Sequence, residues 1–105
     1  MREISVEDVA KRLRDDPSFV LLDVREADEI ATVKVNGSRW IPMREIPQRL
    51  SELDRNASIA VMCHHGGRSE RVAGFLVAQG FTDIANVDGG IDAYAECVDR
   101  SLARY

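Results

Sequence analysis

The sequence predicts an α/β fold in which a parallel sheet carries helices on both faces. Three observations point that way. Short apolar runs of strand length alternate with amphipathic helical stripes through most of the chain. The best-defined runs, Phe19-Val20-Leu21-Leu22 and Ile59-Ala60-Val61-Met62, are continuous rather than alternating, as in strands buried on both faces. Each is followed at once by a chemically active side chain, Asp23 or Cys63, at the carboxyl end where open α/β sheets bind ligands.

Taken in order, Ser5 reads as an N-cap with Glu7 and Asp8 in the first turn, and Val6, Val9, Ala10 and Leu13 form one apolar stripe. Asp15-Asp16-Pro17 ends that helix, and the strand Phe19–Leu22 follows. Residues Glu26–Ala31 are expected as a short helix. Asn36-Gly37 is a turn signal before a short strand, Ser38–Ile41. Ile46, Leu50 and Leu53 share one helical face, which predicts a helix over Arg44–Leu53 with Pro47 near its first turn. After the strand Ile59–Met62, Val72, Phe75, Leu76 and Gln79 predict a helix over Ser69–Gln79, with Gly80 as a left-handed C-cap. Ile84–Val87 is a further strand. Gly89-Gly90 is a sharp turn, and Ile91, Tyr94, Ala95 and Val98 form a last amphipathic stripe.

A chain of 105 residues with 45% hydrophobic content fits one domain, residues 1–105. A formal charge of −4 and a pI near 5.1 argue against nucleic-acid binding. No apolar run has the length of a signal peptide or a membrane span, so a soluble cytoplasmic protein with no membrane partner is expected. Two cysteines, at positions 63 and 97, make a poor disulfide framework, and no CxxC pair suggests zinc or a dithiol couple.

The candidate active site is Cys63-His64-His65-Gly66-Gly67-Arg68-Ser69, at a strand-to-helix junction. Loop N–H groups and the positive end of the following helix favour a thiolate over a thiol. Gly66 and Gly67 let the backbone curl round the sulfur, and Arg68 with Arg71 adds positive charge that can attract a small anion. A thiolate ringed by N–H donors can attack electrophilic sulfur or phosphorus. Binding three phosphoryl oxygens normally takes a cysteine, five intervening residues and an arginine. Here four residues separate Cys63 from Arg68 and the sixth position is Ser69, so a single terminal sulfur fits the tighter ring.

The chain resembles the single-domain rhodaneses, the thiosulfate sulfurtransferase-like family. The resemblance is carried by Leu22-Asp23-Val24-Arg25-Glu26 with Glu29, by Ile41-Pro42, by the loop Cys63–Ser69, and by Val87-Asp88-Gly89-Gly90-Ile91-Asp92-Ala93-Tyr94. It implies a three-layer α/β/α fold with a roughly five-stranded parallel sheet, and a Cys63 that cycles between thiolate and persulfide. Thiosulfate or another small anionic sulfur donor would supply the sulfur, and a thiol, cyanide or a protein sulfur acceptor would take it. No cofactor is implied. His64, His65, Gly66, Gly67, Arg68 and Ser69 would bind substrate, while Asp23 and Arg25 would brace the loop. The family's usual Gly-His-Ile segment is replaced here by Val33-Lys34-Val35-Asn36-Gly37-Ser38, and its usual tryptophan by Tyr94. The rival functions are a noncatalytic partner-binding or sulfur-relay module and, behind it, a phosphatase or arsenate reductase of similar fold.

Other residues receive blander assignments. Cys97 has no glycine loop or basic cluster and reads as an ordinary thiol. His64 and His65 project in different directions with no third ligand evident in sequence, so no metal is expected. Arg68 is poised between binding an anion and pairing with a carboxylate such as Asp23. Trp40 reads as core or groove wall.

Overall fold

The computed structural model describes residues 1–105 and builds them around five parallel strands. The strands are β1 (Arg2–Ile4), β2 (Val20–Asp23), β3 (Arg39–Trp40), β4 (Ser58–Met62) and β5 (Asp83–Val87), in the spatial order β1-β5-β4-β2-β3. The helices are α1 (Val6–Asp15), α2 (Ala27–Thr32), α3 (Gly67–Ala78) and α4 (Gly90–Cys97).

Two core clusters, one on each face of the sheet, give the three layers. Alternation along the strands sorts the side chains. Leu21, Ala60, Met62, Ala85 and Val87 pack with Val6 and Val9 of α1 and Ile91 and Tyr94 of α4. Leu22, Ile59, Val61, Cys63 and Ile84 pack with Val72, Ala73 and Leu76 of α3. The chain leaves β2 toward β3 on one side, whereas β4 leads to β5 on the other. The ends of β2 and β4 therefore flank the point where the connections diverge, the usual site of a ligand crevice.

The capping chemistry explains where α1 and α3 begin and end. Ser5 Oγ accepts from the Asp8 N–H at 3.1 Å at the start of α1. At the end of α3, Gly80 adopts φ +92°, its N–H donates to Val77 O, and the Phe81 N–H reaches back to Leu76 O at 3.1 Å. That double bond with a left-handed glycine is a Schellman ending, and it turns Phe81 into the core.

One expectation is corrected, and one strand is added. The helix expected over Arg44–Leu53 is instead a pair of 3-10 turns, Met43–Glu45 and Pro47–Glu52. Pro47 has no N–H to offer the Met43 carbonyl, which takes the Ile46 N–H at 3.3 Å instead, and the Arg49 and Leu53 amides likewise bond three residues back. The strand β1 carried no signal in the sequence. Its three residues are too few to show a period, and it exists through pairing with β5, Ile4 opposite Val87.

The Gly89-Gly90 turn fixes the relation between α4 and the loop after β4. Both glycines have positive φ, +77° and +61°. The backbone of α4 then approaches so closely that the Ile91 N–H donates to Cys63 O at 2.9 Å and the Asp92 N–H to His64 O at 3.1 Å. A Cβ on Gly90 would overlap the His64 carbonyl and sit 2.6 Å from Cys63 O. Gly90→Ala is therefore expected to cost about 2–4 kcal/mol, seen as a lower urea midpoint. Gly74→Ala, in open space within α3, is the control and should be neutral or stabilising by up to ~1 kcal/mol. Equal midpoints for the two variants would contradict the packing described.

Candidate active site

Cys63 follows the last residue of β4, and its side chain is 1% exposed. A buried sulfur can ionise only beside hydrogen-bond donors, and the loop supplies them. Gly66 adopts φ +128°, a conformation that L side chains rarely reach, and its N–H lies 3.1 Å from Cys63 Sγ. Burial pushes the thiol up, but the Ser69 hydroxyl and the N–H groups of Ser69, Gly66 and His65 outweigh it and hold Cys63 below the ordinary thiol range. Gly66 alone uses the freedom expected of both glycines. Gly67 is a regular first residue of α3 with open space where a Cβ would stand.

Arg68 is paired with a carboxylate, which is Glu29 rather than Asp23. Its Nη1 and Nη2 donate to Glu29 Oε1 and Oε2 at 2.6 and 2.8 Å, a two-pronged pairing. Glu29 is held down to about 2 by that arginine first, with the Glu26 amide and the Tyr105 hydroxyl assisting against its burial. Glu29 lies in the first turn of α2 and also accepts the Glu26 N–H at 3.0 Å, so one carboxylate starts a helix and anchors the loop's arginine.

Asp23 and Arg25 form a fully buried pair at the end of β2, joined through Arg25 Nε and Nη2 at 2.8–3.1 Å. Arg25 spends its remaining donors on Val33 O at 2.7 Å, Glu29 O at 3.4 Å and the Tyr105 hydroxyl at 2.9 Å. Bracing of the loop is thus indirect: Tyr105 in turn donates to Glu29 Oε2 at 2.7 Å, and Glu29 holds Arg68. Trp40, the expected wall residue, is 39% exposed and donates its indole N–H to Arg25 O at 2.8 Å.

Tyr105 is the residue that sequence reasoning missed most completely. Its ring stacks on His64 at 3.9 Å and 9°, and His64 in turn lies 3.9 Å from the ring of His65. His64 Nε2 is buried without a hydrogen-bond partner. Nothing in the local pattern near residue 105 signals this contact, because it is made across the fold. Asn86, at the end of β5, was also missed. It is 3% exposed and binds Ser69 and the Gly66 carbonyl.

Asp92 supplies the acidic neighbour that the two histidines lacked in sequence, and donor atoms of His64, His65 and Asp92 lie within 4.8 Å of one another. Arg104 donates to Asp92 Oδ1 at 3.0 Å, the other carboxylate oxygen lies 3.8 Å from His65 Nε2, and the two histidine rings are tilted by 31°. Cys97 is a free, exposed thiol. Beside α3, Arg71, which makes no salt bridge, borders a groove of about 130 Å³ with Met43, Ile46, Pro47, Val72 and Phe75. No helix is long and apolar enough to cross a membrane.

Comparison with known proteins places the chain in a family. The sequence pattern of the Rhodanese-like domain covers residues 5–97. The chain is 36% identical over its whole length to the Rhodanese-like/PpiC domain-containing protein 12, chloroplastic, of Arabidopsis thaliana, and spans 38% of that protein. It is 32% identical to the thiosulfate sulfurtransferase GlpE of Pseudomonas putida, over 81% of this chain and 77% of the relative. The crystal structure of a rhodanese-like domain protein from Staphylococcus aureus superposes with a TM-score of 0.85 at 30% identity, covering 100% of this chain and 99% of that one. With the family pattern over residues 5–97 and the whole chain superposing on a rhodanese-like domain protein, the chain belongs to the rhodanese-like domain family.

Proposed function

We propose that the protein is a sulfurtransferase that moves a sulfane sulfur from thiosulfate, or a related anionic donor, to a thiophilic acceptor through a persulfide on Cys63. The observation that carries this reading is the inward ring of donors around a buried sulfur, together with an arginine committed to Glu29 rather than free to clamp phosphoryl oxygens. The naming of relatives as sulfurtransferases supports the same class.

In the first step the Cys63 thiolate attacks the outer sulfur of thiosulfate. A Cys63 S–S bond forms, the donor's S–S bond breaks, and its electron pair leaves with sulfite. In the second, a cyanide or thiolate acceptor attacks the outer sulfur of the persulfide and the Cys63 thiolate is regenerated. The N–H groups of His65, Gly66 and Ser69 favour a negative sulfur before the first step and after the second, so no general base is required. We read residues 1–105 as one domain, with no cofactor, working in a reducing compartment such as the cytoplasm. A protein thiol is a suitable acceptor as well as a small one.

Incubation with thiosulfate followed by intact mass analysis should add one sulfur, about 32 Da, to the wild type and nothing to Cys63→Ala. A gain on Cys63→Ala, or none on the wild type with any sulfane donor, would overturn the reading. Alkylation of Cys63 in a Cys97→Ser background provides an independent check. Donors that favour the anion keep sulfur ionised to lower pH, so the reactivity midpoint should lie below the ~8.5 of a free thiol. A midpoint at or above that value contradicts the site's electrostatics.

A further inference from the structure

The loop after β4 and the first turn of α4 bring together a donor set that the sulfur chemistry above does not use. His64 and His65 are neighbours in the chain, and Asp92, which the sequence did not pair with them, is set beside them by the backbone. Its N–H donates to His64 O at 3.1 Å, and the Ile91 N–H holds Cys63 O at 2.9 Å. Both bonds depend on the close approach that Gly90 permits. One ligand-type atom from each of the three side chains consequently lies within 4.8 Å of the other two.

These atoms have capacity to spare. His64 Nε2 is buried with no hydrogen-bond partner, a free-energy cost that a bound cation would remove. His65 Nε2 stands 3.8 Å from Asp92 Oδ2, too far for a hydrogen bond, and Arg104 donates to Oδ1, which leaves Oδ2 uncommitted. The geometry points to a site for one divalent transition ion of the zinc class, held by His64, His65 and Asp92 where the catalytic loop meets α4.

Two imidazole nitrogens and a carboxylate oxygen suit Zn²⁺, Co²⁺ or Ni²⁺ and are a poor set for Mg²⁺ or Ca²⁺, which take oxygen ligands. Ligand atoms round a tetrahedral zinc stand about 3.3 Å apart, given bonds of about 2.0–2.1 Å. The three atoms must therefore close in from separations of up to 4.8 Å. His65 can make that movement, since its side chain is 69% exposed. His64 is held in place: its ring stacks on Tyr105 at 3.9 Å, and the Tyr105 hydroxyl is tied to Arg25 and Glu29. Arg104 competes for Asp92, but Glu96 Oε2, 3.8 Å from its Nη2, offers that guanidinium another carboxylate. Three protein ligands leave a fourth position for water, the arrangement of an exchangeable ion rather than a sealed structural one.

The ion takes no part in the sulfur steps, so the inference goes beyond the sulfurtransferase reading and does not rest on it. The chain has only two histidines and both belong to this group, so an imidazole-bound ion can report no other site.

The test is a Co²⁺ titration of the untagged protein, read by visible absorption, in a Cys63→Ser/Cys97→Ser background that removes both thiols. One Co²⁺ per chain should bind with the strong visible bands of four-coordinate cobalt, be displaced by Zn²⁺, and survive an excess of Mg²⁺. His65→Ala and Asp92→Asn should each weaken binding by at least about tenfold. His65 is exposed, so its removal does not threaten the fold. A Kd above about 1 mM, affinity unchanged in either variant, or displacement by Mg²⁺ overturns the inference. If the thiol-free protein does not fold, Cys97→Ser alone replaces it, and a sulfur-to-cobalt band in the near ultraviolet is then the contrary result. Cobalt bound here by a wild type that gains no sulfur from thiosulfate would sink the sulfurtransferase reading and leave this site standing, so the two failures are distinguishable.

Discussion

The rest of the site depends on burying the Cys63 sulfur among hydrogen-bond donors of the chain that favour its ionisation. A charge removed from solvent is stable only if it is well hydrogen-bonded, and here the donors are N–H groups of the chain itself. A loop that turns its amides inward must direct its carbonyls elsewhere, and those buried acceptors need partners of their own. The Cys63 and His64 carbonyls are met by the first amides of α4, and the Gly66 carbonyl by the Glu70 amide and Asn86. The end of β4, the first turn of α3, the first turn of α4 and the end of β5 are thereby tied to one sulfur. Gly90 is a glycine for the same reason: α4 cannot come close enough to cap those carbonyls with a Cβ in the way.

A second set of contacts holds the outside of the loop. It runs from Asp23 through Arg25 to Tyr105 and Glu29, and from Glu29 to Arg68. Burying the Asp23–Arg25 pair costs desolvation that its mutual attraction offsets only because every guanidinium nitrogen finds an acceptor. Its role is better described as geometric than as stabilising. The pair fixes the end of β2 relative to the α2 carbonyls, and α2 presents the carboxylate that orients Arg68. One consequence is electrostatic: with Arg68 neutralised, the loop is less positive than its sequence suggests.

The fold was legible where the physics is local. The continuous strands, the α1 cap, the Gly80 ending of α3 and the Gly89-Gly90 turn each have a short-range cause, and each stands where the pattern placed it. The segment before β4 was misread because three apolar residues at helical spacing say nothing about which carbonyl loses its donor at Pro47. Cys63 was legible from its glycine, its helix and its strand. Glu29 as the partner of Arg68, Asn86 as the partner of Ser69, and Tyr105 over His64 are separated from those residues by 39, 17 and about 40 positions along the chain, so only the assembled fold brings them together.

The choice between sulfur and phosphorus turns on how far the site's donors reach. A formal charge of −4 spread over the molecule is screened within about 8 Å at physiological ionic strength, so the groups lining the loop outweigh the overall charge in what binds there. Those groups are short-range N–H dipoles aimed at one atom, with the nearest guanidinium tied to Glu29. A phosphoryl group spreads its charge over several oxygens and would leave most of them without partners in such a ring, whereas a terminal sulfur presents its charge at one centre.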